Sequence, residues 1–152
     1  MARHEDLRGI ELSLRRISSI GRSRDAGRLR AEVAGVNLTN QAAGILSALT
    51  AEGPMRSSAL ADAVDADAPI VSRELRSLRA DGYVTVEVDP SDGRARVVSL
   101  TDLGRDVYRR FRAATDAITA AAFDDWDDYD LVVLRGLLDR VVRDFASARR
   151  PD

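Results

Sequence analysis

The spacing of apolar residues changes its period once between Thr39 and Thr101, and this change limits the folds that the chain can adopt. Thr39 is a favoured N-cap residue, and apolar residues recur after it at helical spacing. Gly53-Pro54 then stops this first short helix. Its apolar positions are Ala42, Ile45, Leu46 and Leu49.

Two more short helices are predicted to follow. Ser57 or Ser58 can cap the second, whose small apolar face is interrupted at Asp65. Asp67 can cap the third, with Pro69 in its first turn, and this helix runs to Gly82. The apolar positions are Leu60, Ala61 and Val64 in the second helix and Val71, Leu75 and Leu78 in the third.

Alternation then replaces the helical spacing. Val84, Val86 and Val88 alternate with polar residues, and residues 96–100 form a second run after the turn sequence at 89–93, which predicts a β-hairpin. Three short helices followed by a hairpin is the order of elements in a winged helix-turn-helix. In that fold the third helix enters the major groove of DNA, and the hairpin, or wing, reaches the flanking backbone or minor groove.

One face of the third helix is suited to contacting bases. The apolar residues group on one side of a helical wheel, and arginines lie opposite. Arginine can hydrogen-bond to guanine O6 and N7 together, and small neighbours let the helix approach closely. The predicted DNA-contacting residues of this helix are Pro69, Ser72, Arg73, Arg76 and Ser77.

Helical patterns flank the winged helix-turn-helix on both sides. The N-terminal pattern is interrupted at Gly21 and Gly27, with a second helix predicted to end at Gly35, and Thr101 can cap the first helix of the C-terminal pattern. These patterns divide the chain into an N-terminal helical segment (1–36), the winged helix-turn-helix region (37–104) and a C-terminal helical segment (105–152). Since 152 residues is the size of one ordinary domain, we expect one compact domain that is mainly α with a small β-hairpin wing. The flanking apolar residues include Leu7, Ile10, Leu14 and Ile17 at one end and Leu134, Leu137, Leu138, Val141 and Phe145 at the other.

A series of short motifs runs along about half of the chain: Leu38-Thr39, Ser58-Ala59-Leu60-Ala61, Ile70-Val71-Ser72-Arg73 with Leu78 and Gly82, Asp89-Pro90-Ser91-Asp92-Gly93-Arg94, and Val98-Ser99-Leu100-Thr101 with Gly104. In order and spacing these motifs resemble those of the MarR-type transcriptional regulators. The wing segment is the most specific of them.

The resemblance implies a sequence-specific double-stranded DNA-binding regulator, usually a repressor in this family. It implies a homodimer, built from segments 1–36 and 105–152, on a pseudo-palindromic operator. Asp92 and Arg94 would pair at the wing tip, and Arg94 would enter the minor groove, with Arg96 also at the tip. Members often release DNA on binding a small anionic aromatic ligand. Arg15 or Arg16 could pair with such an anion, although simple exposure to solvent explains these two arginines equally well.

Two departures from the family pattern should each weaken DNA binding. Ala68-Pro69-Ile70 stands where the family often has Ser-Thr, which removes hydroxyl donors to phosphate or base. Gly93 replaces the first of two adjacent basic residues that the family often has at the wing. Arg94 and Arg96 must therefore supply the DNA contacts of the wing tip.

Charge supports a second hypothesis, a winged-helix protein-interaction module that no longer binds DNA. The whole chain has a net charge of −2, but residues 37–104 hold 6 arginines against 10 acidic residues. Non-specific affinity for DNA comes from neutralising phosphates with basic side chains. The acidic winged helix-turn-helix region can therefore bind DNA only if its few arginines lie where they can contact the phosphates.

The amino-acid composition excludes several kinds of catalytic and metal-binding site. The chain has no cysteine and one histidine, His4, which excludes disulfides, thiol nucleophiles and Cys/His zinc sites. We find no catalytic constellation, and we predict no enzyme, no cofactor and no metal. Since no apolar run is long enough to span a membrane and the N-terminus does not resemble a signal peptide, we expect a cytoplasmic protein.

Overall fold

A computed structural model describes residues 2–148 as seven helices and three short strands. The predicted C-terminal segment extends to residue 152, of which residues 149–152 lie outside the described part. The elements are α1 (Ala2–Arg22), α2 (Arg24–Ala34), α3 (Asn40–Glu52), β1 (Met55–Arg56), α4 (Ser57–Ala63), α5 (Ala68–Ala80), β2 (Val84–Asp89), β3 (Asp92–Leu100), α6 (Asp102–Ala122) and α7 (Asp128–Ala148).

The predicted interruption of the N-terminal helix is confirmed, and it lies at Ser23. The Ser23 side chain accepts a hydrogen bond from the backbone N–H of Ala26 (3.1 Å) and so starts α2 as a separate helix. Gly35 ends α2 in the left-handed conformation (φ 63°), as expected for a helix C-terminus.

The caps of the central helices match the predictions in part. Thr39 caps α3 by accepting a hydrogen bond from the N–H of Ala42 (3.0 Å). The cap predicted at Ser57 or Ser58 is wrong, because α4 already begins at Ser57 and Arg56 occupies the N-cap position without a side-chain cap bond. Asp67 does occupy the N-cap position of α5, but its side chain makes no cap bond there.

The predicted hairpin is confirmed and belongs to a three-stranded antiparallel sheet in the order β1-β3-β2. The register of β2 on β3 runs from Val84 opposite Leu100 to Val88 opposite Arg96, with an irregularity between Val88 and Asp89. The third strand, β1, pairs Met55 with Val98 and Arg56 with Val97. The sequence pattern missed β1 because two residues are too few to show an alternation.

One hydrophobic core joins α3, α4, α5, the sheet and the first half of α6. Its fully buried side chains come from every one of these elements, which fixes α5 against the others. They are Ile45, Leu46, Leu60, Leu78, Val71, Val98 and Val107.

Thr101 caps α6, as predicted, by accepting a hydrogen bond from the N–H of Gly104 (3.0 Å). Gly104 lies so close to the strand that an added Cβ would be 2.0 Å from the carbonyl oxygen of Tyr83. Only glycine fits at this position, and the close approach holds the start of α6 against the base of the hairpin.

The structure divides into two compact units, one ending at Asp116 and the other beginning at Ala117. In the second unit, α7 has no buried residue, and the ring of Trp126 meets that of Phe123 edge-on at a centroid distance of 5.2 Å. No helix within residues 2–148 combines the length and the apolarity needed to cross a bilayer.

Candidate nucleic-acid interface

The recognition helix predicted from the sequence is α5, and its two faces separate as expected. Val71, Leu75 and Leu78 are buried in the core. The opposite side of the helix faces solvent. All five residues predicted to contact DNA, Pro69, Ser72, Arg73, Arg76 and Ser77, are exposed.

A hydrogen bond between side chains fixes α5 against the start of α3. The hydroxyl of Thr39 donates to Glu74 Oε2 at 3.0 Å, while its oxygen also caps α3. Arg73 lies 3.8 Å from the other carboxylate oxygen of Glu74, and its side chain is 70% exposed. Glu74 is therefore engaged with its neighbours on α5 and α3.

The wing places Asp92, Arg94 and Arg96 at the solvent-exposed end of the hairpin. Asp92 and Arg94 do contact each other, through the backbone N–H of Arg94, which donates to Asp92 Oδ1 at 3.0 Å. The guanidinium of Arg94 is thus not the group that closes the turn. Arg96 bends back, donating from Nη1 to the carbonyl oxygens of Gly93 and Ala95, both at 3.2 Å.

A groove of about 420 Å³ joins α5 to the wing, and we call it the reading groove. It brings together Ser72, Arg76 and Arg96 from among the predicted residues. The other predicted residues lie outside its lining. The rest of its lining consists of the apolar residues Val71, Leu75 and Val86 together with Ser57, Ser58, Ala68 and Arg79.

Arg79 was missed in the sequence analysis. On the helical wheel it falls between the exposed arginines and the packed residues, so it belongs to neither face clearly. Its position three residues after Arg76, which makes the two side chains neighbours on the helix surface, is the signal that could have identified it.

The acidic residues of the region lie mostly elsewhere. Three arginines and no carboxylate line the reading groove within the described residues. Asp62, Asp65 and Asp67 instead line a separate cavity of about 750 Å³ at the turn between α4 and α5. The net negative charge of segment 37–104 therefore coexists with a basic surface at the predicted interface, and the local potential governs contact with DNA.

A buried carboxylate stands at the base of the wing. Asp89, at the end of β2, is 8% exposed and accepts hydrogen bonds from the hydroxyl and the backbone N–H of Ser91 and from Arg56. These bonds to Ser91, together with the bond to Arg56, lower the pKa of Asp89 to about 2. Arg56 and Asp89 were not singled out from the sequence as a pair, because 33 residues separate them.

The arginines predicted as ligand contacts lie on an exposed helix. Arg16 is exposed on α1, and Arg15 forms a weak ion pair with Glu11 (3.9 Å). A cavity of about 500 Å³ between α2 and α3 is more basic, and we call it the basic cavity. It is lined by Arg22, Arg24 and Arg28 and by the uncharged residues Gly27, Ala31, Asn37, Leu38, Thr39, Asn40 and Gln41.

Comparison with known proteins identifies the same fold. The sequence model of the MarR family matches residues 36–95, which contain α3 to α5 and most of the wing. No curated protein matches the chain in sequence. The resemblance seen in the motifs is therefore confirmed for the winged-helix region.

Three solved structures illustrate the similarity. A MarR transcriptional regulator from Methanosarcina mazei superposes with a TM-score of 0.74 at 19% identity, over 93% of this chain and 99% of that chain. A probable transcriptional regulator from Pseudomonas aeruginosa is 28% identical, with a TM-score of 0.67 over 87% and 96%. BpsR from Bordetella bronchiseptica, whose DNA binding is regulated by 6-hydroxynicotinic acid, is 26% identical, with a TM-score of 0.56 over 69% and 80%.

Proposed function

We propose that this chain is a sequence-specific regulator of transcription of the MarR type, a repressor that binds a pseudo-palindromic operator in double-stranded DNA. The observation that carries the proposal is the reading groove, in which arginines of α5 and of the wing share one surface. A winged-helix fold presents such a surface to the major groove and to its flank. The protein would act in the cytoplasm, without a cofactor.

The two parts of the interface have different roles in this proposal. Arg76, flanked by Pro69, Ser72, Arg73 and Ser77, reads base edges in the major groove, where a bidentate arginine–guanine pair discriminates by about 1–3 kcal/mol. Arg94 and Arg96 contact the flanking backbone or minor groove, with Asp92 shaping the tip.

The exposed apolar faces of the flanking helices support the proposal of a homodimer. In α1, Leu7, Ile10, Ile17 and Ile20 are each at least half exposed. In α7 the exposed apolar residues are Val132, Val133, Leu137, Leu138, Val142 and Phe145. Exposed apolar residues gathered on a helix face are typical of interaction sites, and a symmetric dimer would match the two halves of a palindromic operator. We assign dimerisation to segments 1–36 and 105–152.

Titration of labelled duplexes from the promoter of its own gene tests the proposal. We expect Arg76→Ala to relax the preference at particular base pairs, and Arg94→Ala to weaken binding to all sequences and to reduce the salt slope by about 1. Glu52→Gln, which changes an exposed charge at the end of α3 outside the lining of the reading groove, is the control.

The alternative, a winged-helix module that binds protein and not DNA, rests on the acidic balance of residues 37–104 and on Ala68-Pro69-Ile70. It predicts no salt-dependent association with any duplex. A genomic selection that recovers one operator would eliminate it, and equal binding by the wild type, Arg76→Ala and Arg94→Ala would eliminate the first proposal.

We also propose that a small aromatic acid releases the DNA, as the regulation of BpsR suggests. The basic cavity supports this, since its volume suits such a ligand and its three arginines suit a carboxylate. Calorimetric titration with 6-hydroxynicotinate should give a heat that Arg28→Ala abolishes. Loss with Arg16→Ala alone would move the site to α1, and no heat with the wild type would reject this ligand.

A further inference from the structure

The base of the wing carries a more elaborate arrangement than a hairpin turn needs. The carboxylate of Asp89 accepts three hydrogen bonds, two from Ser91 and one from Arg56. Its Oδ1 accepts from Ser91 N at 2.8 Å and from Ser91 Oγ at 2.6 Å, and its Oδ2 accepts from Arg56 Nε at 2.8 Å. Arg56 Nη2 also forms an ion pair with Oδ2 at 2.7 Å and donates to Ser91 Oγ at 3.3 Å. Both oxygens of the carboxylate are thus occupied.

Arg56 stands where a different residue would be expected. It occupies the N-cap position of α4, which favours Ser, Thr, Asp or Asn, and it makes no cap bond with its side chain. Its guanidinium reaches the wing instead. Because β1 pairs Arg56 with Val97 and Leu60 of α4 is fully buried, the backbone of Arg56 is anchored both to the sheet and to the core.

The Asp89 carboxylate controls the path of the chain toward the wing tip. The β2–β3 register is irregular between Val88 and Asp89, where the turn begins, and Asp89 pairs with Asp92. The N–H of Ser91 donates to the Asp89 side chain two residues earlier, and this hydrogen bond stabilises the turn. Arg94 follows three residues after Ser91, so the direction in which its side chain leaves the hairpin depends on this turn.

We propose that Arg56 is a positioning residue for DNA recognition, which acts through Asp89 to fix the wing tip so that Arg94 meets the DNA beside the major groove. The part of this inference that concerns DNA binding rests on the proposed function. A charge-assisted contact is well suited to this task, because it is stronger than a hydrogen bond between neutral groups.

The main competing role is direct contact of Arg56 with phosphate, because its side chain is 48% exposed. A purely structural role, in stabilising the fold without directing the wing, is a third reading. These roles differ in how Arg56 couples to Arg94, and a double-mutant cycle measures that coupling.

The first measurement needs no DNA. Amide hydrogen exchange of Ser91 and Arg94 is compared in the wild type, Arg56→Gln, Arg56→Lys and the control Glu52→Gln, which changes an exposed charge on α3. We expect Arg56→Gln to speed exchange at these two amides by about tenfold while core amides such as Leu60 are unchanged, with Arg56→Lys intermediate. Unchanged wing amides, or faster exchange throughout the core, would overturn the positioning role.

The second measurement is operator affinity in the cycle Arg56→Gln, Arg94→Ala and both. We expect each single variant to bind about tenfold more weakly and the double variant to be no weaker than Arg94→Ala, since Arg56 acts through Arg94. Additive losses with a further decrease in the salt slope would show that Arg56 contacts phosphate and would reject the proposal. If the wild type binds no duplex, the proposed function fails, and the exchange data still decide whether Arg56 fixes the wing.

Discussion

The winged-helix region and the flanking helices α1 and α7 both carry apolar residues at regular spacing, yet only the first region buries them. Within residues 2–148, the buried hydrophobic side chains lie between Leu38 and Ala114. α7 buries none, and the larger apolar residues of α1 are about half exposed or more, apart from the partly buried Leu14. An amphipathic pattern therefore identifies a helix and its apolar face, but it does not say whether the same chain or a second copy covers that face.

The largest effect expected from this difference concerns truncation of a core leucine. Leu60→Ala removes a fully buried side chain of α4 and should lower the free energy of unfolding by about 2.7–5 kcal/mol at any protein concentration. Leu137→Ala, on α7, removes a side chain that is 56% exposed. Urea denaturation at two protein concentrations should show a small loss for Leu137→Ala when dilute and a larger one when concentrated, because a dimer adds stability by mass action.

An equal, concentration-independent loss at both positions would mean that the flanking helices are part of the same stable core, and the comparison between the two regions would fail.

A charge on α1 should break the proposed dimer without unfolding the winged-helix region. Ile17 is 62% exposed, and burying an isoleucine contributes about 1.5–3 kcal/mol, twice in a symmetric dimer. Ile17→Glu should therefore raise the dimer dissociation constant at least about a hundredfold in sedimentation equilibrium. Ser19→Glu adds the same charge about 200° around the helix and serves as the control. Equal effects of the two variants would place the interface elsewhere than on this stripe.

The sequence was sufficient for those parts of the fold that depend on local signals. Thr39 and Thr101 cap helices where predicted, Gly35 ends α2, and the packed face of α5 is the predicted one. Each depends on residues within about one helical turn.

Long-range contacts were not predictable in the same way. Asn40 packs against Gly27, donates to the carbonyl of Ser23 and accepts from Arg30. These contacts join α2 to α3 across 10 to 17 residues of sequence. Arg56 illustrates the same limit at the candidate site. Its partner Asp89 is brought to it by strand pairing, and no local pattern marks an arginine at an N-cap position as a wing contact.

The smallest effect we predict is a difference in how stability depends on pH, between the carboxylate at the wing base and the exposed carboxylates of the flanking helices. Because Ser91 and Arg56 lower the pKa of Asp89 from 3.8 to about 2 in the folded state, the folded protein holds its proton less tightly than the unfolded chain does. Asp89 therefore contributes stability that is complete above about pH 4 and is lost as the pH falls toward about 2. Asp89→Asn should be less stable than the wild type near neutral pH, and the difference in urea midpoint should shrink over that window. Asp116→Asn, which removes a carboxylate that is 67% exposed, should show little difference at any pH. If the two variants lose stability equally, or if the Asp89→Asn difference persists at about pH 2, the ionised carboxylate is not what stabilises the wing base, and this site would be no different from an exposed ion pair on α6.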